Sequence, residues 1–132
     1  MKNLQAFLNP RRKENLKFIL SDAFVGEDGA PVEWEMRQLS AEESVELGKT
    51  YAHATPGEIL GATVAQSLVF PNLRDAELLA ALSKKAGRNL MKPLDALLQL
   101  VTDPEYAKLC ATYVQFNELG QTFAEKVEEA KN

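Results

Sequence analysis

Apolar and polar residues alternate along Val32-Glu33-Trp34-Glu35-Met36-Arg37, a half-buried strand pattern. A second strand-like run, Leu16 to Val25, precedes it, and the two are joined through Glu27-Asp28-Gly29. A three-residue loop with Gly29 in the left-handed conformation sets Phe24 opposite Val32 and Leu20 opposite Met36. A two-residue Asp28-Gly29 turn would set Phe24 against Glu33 and mismatch the apolar faces, so burial selects the longer loop. Asp22 opposite Trp34 is the flaw in that register and belongs at the rim of the sheet or at a bulge. From Ser40 onward the spacing becomes helical. Ser40-x-x-Glu43 and Thr55-Pro56-Gly57-Glu58 read as capping boxes, the second with proline at the first helical position. The first opens a helix with Val45, Leu47 and Tyr51. The second opens one carrying Ile59, Leu60, Val64, Leu68 and Val69, ended by Phe70-Pro71. Asn72 or Asp75 starts the next, with Leu78, Leu79 and Leu82, and Gly87 ends it. Pro93 and Asp103-Pro104-Glu105 start two more. Gly120 breaks the second of these, and an acidic helix with Phe123 and Val127 closes the chain.

These elements predict an α+β, mainly α fold: an N-terminal β-hairpin over about residues 16–38, then a compact bundle of about five or six helices. The 132 residues fit a single domain over 1–132. Its first 14 residues form an arm. Leu4, Phe7 and Leu8 fall on one short helical face there, stopped by Asn9-Pro10. A helix this short needs something to pack on: its own domain, a partner or a neighbouring subunit.

The formal net charge of −4 offers no bulk attraction for nucleic acid or anionic membrane. Residues 1–17 depart from it, with five lysines and arginines against Glu14, giving +4. Arg11-Arg12-Lys13 lacks interleaved aromatics and reads as a solvated linker or a contact for an acidic partner. A lone cysteine and no secretory or membrane-spanning run fit a cytoplasmic protein.

Candidate chemistry is sparse. Gly48-Lys49-Thr50 lacks the upstream glycine of a phosphate loop, because Glu43 stands there. His53 is a helix-end histidine without neighbouring metal ligands. Cys110, spaced helically with Tyr106 and Tyr113, reads as a small buried residue. Glu42-Glu43 and Glu128-Glu129 read as solvated helix faces, and Trp34 as a core anchor. Neither catalytic, cofactor nor metal residues are expected. The candidate contact residues are apolar: Leu4, Phe7 and Leu8 near one end, and Phe116, Leu119, Phe123 and Val127 near the other. Ordinary core packing is the competing explanation for both sets.

Four stretches, in order, carry a resemblance. Phe24 to Glu43 holds an acidic Asp-Gly turn, a Pro-Val-x-Trp strand and a Glu-rich helix start. Val69-Phe70-Pro71-Asn72-Leu73-Arg74-Asp75-Ala76-Glu77-Leu78 joins an aliphatic-aromatic-Pro segment to a helix start. Leu97 to Leu109 is leucine-rich and includes Pro104-Glu105-Tyr106, and Val127 to Asn132 ends the chain. Together they resemble the XkdN-like tail assembly chaperones of contractile-type phages and prophages, over most of residues 15–132. Residues 1–14 and the basic stretch Ser83 to Lys92 depart from the pattern. The resemblance implies a non-enzymatic protein of the bacterial host cytoplasm. It would keep the tape measure protein soluble until the tail tube assembles, and be absent from the finished virion. It also implies self-association and a longer frameshifted companion. A minor tail or connector subunit retained in the virion is the alternative. A cytosolic enzyme or regulator whose site forms only on folding is a third reading.

Overall fold

The computed structural model describes residues 3–118. Three strands, β1 (Leu16–Ile19), β2 (Glu33–Met36) and β3 (Leu68–Phe70), form an antiparallel sheet in the order β1-β2-β3. Helix α1 (Leu4–Leu8) precedes the sheet. Helices α2 (Ala41–Thr50), α3 (Pro56–Ser67), α4 (Ala76–Ala86), α5 (Pro93–Leu100) and α6 (Asp103–Asn117) complete an α+β, mainly helical fold.

The hairpin tip forms as the sequence predicts. Val25 bridges Pro31, the Gly26 N–H donates to Ala30 O, and Gly29 turns at φ 80°. That glycine closes the three-residue loop in a conformation most side chains resist.

Farther along, the register differs from expectation. Leu16, not Leu20, pairs with Met36, and Phe18, not Asp22, pairs with Trp34. The four extra residues are taken up by an excursion between Ile19 and Val25. A four-residue slip leaves each side chain on its original face, so alternation alone could not detect it. Helix α6 holds the excursion in place. Lys108 Nζ donates to Leu20 O at 2.8 Å and to Ile19 O at 3.4 Å. Asp22 thereby leaves the sheet. Phe24 returns to pack edge-on against Trp34, with ring centroids 5.3 Å apart.

The helix starts follow their caps. Ser40 and Thr102 form reciprocal boxes with Glu43 and Glu105. Thr55 accepts from the Glu58 N–H, but the Glu58 carboxylate meets the Thr55 hydroxyl rather than the backbone N–H of the cap. Asp75, not Asn72, caps α4, and Gly87 ends it.

Strand β3 corrects the expected course of α3, whose apolar pattern continues through Val69. The helix stops at Ser67, whose hydroxyl donates to Val64 O. Leu68 and Phe70 then pair with Met36 and Glu35. Phe70 precedes a proline and so resists helix, and β2 would otherwise present a bare edge.

The buried apolar residues form one core. Trp34 and Met36 from the sheet meet Val64 of α3, Leu97 of α5 and Leu109 of α6. The crossing of α3 and α6 depends on Gly61: a β-carbon there would collide with the Tyr106 hydroxyl and press on Leu94. The expected break at Gly120 and the closing acidic helix lie outside the described residues.

Candidate interaction surface

The apolar residues of α1 stand clear of the core. Leu4 is 45% exposed, Phe7 73% and Leu8 61%. Asn9 ends the helix, its N–H donating to Gln5 O and its side-chain amide to Gln5 Oε1. The chain then runs without regular structure to β1 and is tied down at Lys13. Lys13 Nζ donates to Phe116 O at 2.8 Å, lies 5.6 Å from the centre of the Phe116 ring and approaches Glu118 at 3.8 Å. The basic stretch therefore meets the end of α6 within its own chain, while Arg11 and Arg12 are exposed.

Of the second candidate set, Phe116 is half-buried against the core. Leu119, Phe123 and Val127 lie outside the described residues. Lys13 thus brings the base of the arm to the point where this second set begins.

A groove that the sequence did not single out opens at the hairpin tip. Phe24, Val25 and Val32 line one side, and Phe70, Pro71 and Leu78 the other, around a volume of about 310 Å³. Val25 and Phe70 are about half exposed. The groove exists because the excursion delivers Phe24 and because β3, read from sequence as helix, places Phe70 beside the tip. Asp22, Glu27 and Asp28 flank the groove-lining Phe24 and Val25 in the chain and give the hairpin tip a negative bias. That charge bias was legible in the sequence.

A polar network that begins just past the end of β2 corrects the reading of Glu43 as merely solvated. Its carboxylate accepts from Arg37 Nη1 at 2.9 Å and Nη2 at 2.6 Å, from Gln66 Nε2 at 3.1 Å and from the Ser40 N–H at 3.1 Å. Gln66 Oε1 in turn accepts from Arg74 Nη2 at 2.6 Å. The bidentate Arg37 guanidinium, with help from Ser40 and Gln66, holds the Glu43 carboxyl well below the usual glutamate range. A carboxylate so stabilised is a poor proton acceptor. The network acts as a clamp joining the end of β2, the start of α2, the last turn of α3 and the segment after β3. Glu42, its sequence neighbour, is exposed.

The remaining candidates do not converge. Gly48-Lys49-Thr50 lies within α2, where Thr50 donates to Glu46 O. His53 is exposed just past the end of α2. Burial pushes the Cys110 thiol up, away from the reactive thiolate. Among the described residues no three His, Cys, Asp or Glu side chains gather as metal ligands, and no helix is long and apolar enough to cross a membrane. The arrangement offers two apolar surfaces of opposite electrostatic setting, the arm and the groove.

Known proteins provide a separate comparison. Residues 4–131 match the family model described as phage XkdN-like tail assembly chaperone protein. The crystal structure of the protein yqbn superimposes with a TM-score of 0.69 at 18% identity. The alignment covers 89% of this chain and 98% of that one, a likeness of fold. No curated protein matches significantly.

Proposed function

The chain belongs to the phage XkdN-like tail assembly chaperones, and from that premise we propose that it binds the tape measure protein and keeps it soluble until the tail tube assembles. The family match over nearly the whole chain carries the reading. A tape measure protein is long and apolar along its helical faces. A small acidic domain bound in many copies covers such faces through helix-in-groove contacts. Each contact is weak enough to release, and the copies together hold the client by multivalency. The role is non-enzymatic and is played in the host cytoplasm, and the protein is shed before the virion is complete. A longer frameshifted form of the same chain fits the role.

Within this reading Phe116, Leu119, Phe123 and Val127 supply the client contact. Co-expression tests the proposal. The cognate tape measure protein, insoluble alone, becomes soluble and co-purifies with this chain. Asp in place of Phe123 and Val127 releases the client while leaving the chaperone's thermal transition in place. A client that stays insoluble beside folded chaperone overturns the proposal. Recovery of the chain from purified virions by mass spectrometry would instead favour a retained tail subunit.

A further inference from the structure

We propose that α1 of one copy docks in the hairpin-tip groove of a second copy, linking molecules head to tail. Two observations meet in this assignment. The arm ends in an apolar cluster that its own core leaves exposed: Phe7 is 73% exposed, Leu8 61% and Leu4 45%. Such a short helix has little stability in water without a surface to lie on. The groove is the complementary feature. It is apolar, about 310 Å³ in volume, and half-exposed at Val25 and Phe70.

Charge selects the same pairing. Residues 1–17 carry +4, with Arg11 and Arg12 exposed just after α1. Asp22, Glu27 and Asp28 flank the groove-lining Phe24 and Val25 in the chain. A ligand with an apolar tip followed by arginines fits an apolar groove next to these three carboxylates of the hairpin, and like charge disfavours groove-to-groove association.

Topology separates the arm from the groove of its own chain. The arm joins the sheet at the Leu16–Met36 end, while the groove opens at the other end, beside the Val25–Pro31 bridge. Lys13 pins the base of the arm to α6. Beyond Lys13, four extended residues and the five of α1 reach about 20 Å, enough to cross to a neighbour. An arm that fills one partner while its own groove receives another makes a heterologous contact, which builds rings or open filaments. Such a chain of copies suits a long client, yet the contact itself needs no client.

Sedimentation of the isolated full chain tests the proposal and is independent of tape measure solubility. Wild-type protein forms species above the monomer that grow with concentration and shrink as salt rises, because the arginine contribution is screened. Phe7→Asp and Val25→Asp each give monomers. Mixing the two variants restores one contact, from the intact arm of the second to the intact groove of the first, and yields a 1:1 dimer and nothing larger. Phe70→Lys serves as a second groove variant should Val25→Asp fail to fold. A wild-type monomer at all concentrations overturns the proposal, and so does a mixture that stays monomeric. If the groove variants self-associate normally but lose the tape measure protein, the groove belongs to the client and the proposal falls.

Discussion

Glu43 shows how far one residue can depart from its local sequence. Beside Glu42, at the start of a capped helix, it has every mark of a solvated first-turn carboxylate. Folding surrounds it with Arg37, Gln66 and the Ser40 amide. Its pKa in the folded chain lies below the unfolded value, so the clamp contributes fully above the ordinary glutamate value of 4.5. The contribution is lost as pH falls through the depressed folded value. Glu43→Gln should therefore lower stability by ~1–2 kcal/mol at pH 7. The difference from wild type should narrow at pH 3. Urea unfolding at the two pH values checks this, and an unchanged gap would assign the effect to packing instead.

At the scale of elements, the first strand and α6 depend on each other. The chain leaves the ladder after Ile19, and the Ile19 and Leu20 carbonyls turn to Lys108, some ninety positions away. Lys108→Met keeps the aliphatic stem but removes the donor, leaving a part-buried carbonyl unpartnered. The expected cost is about 1 kcal/mol, read as a lower urea midpoint with unchanged slope. Amide exchange should quicken in the 20–24 excursion and not at the Val25–Pro31 bridge. The bridge and its three-residue loop rest on local turn chemistry alone. That contrast marks which part of the hairpin was legible. Gly29 and the Phe24–Val32 relation follow from near neighbours, whereas the slip between Leu20 and Leu16 answers to a distant helix.

Across the whole molecule, sheet and helices share one core, with Trp34 at 2% exposure among Val64, Leu97 and Leu109. We propose that the chain unfolds as a single domain. Fluorescence of Trp34, the only tryptophan, should report the sheet, and far-ultraviolet circular dichroism should report the helices. Coincident transitions are expected. Two separated midpoints would divide the sheet from the bundle. At concentrations low enough to keep both proteins monomeric, Phe7→Asp should leave that transition where it is, since α1 adds no buried residue to the core.

The sequence by itself determined the elements that rest on short-range physics. Caps at Ser40 and Thr55, the helix start at Asp103-Pro104-Glu105, the glycine stop at Gly87 and the Trp34 face all depend on residues within a few positions of one another. The charge contrast between the arm and the hairpin was equally plain. Tertiary structure alone decided that Leu68 to Phe70 is a strand, that the hairpin slips by four residues, that Glu43 is clamped, and that an apolar groove opens at the tip. Each of these is set by a partner distant in sequence: the free edge of β2, the Lys108 ammonium, the Arg37 guanidinium and the side of β3. Periodicity records which face a residue shows, but not which distant group will meet it.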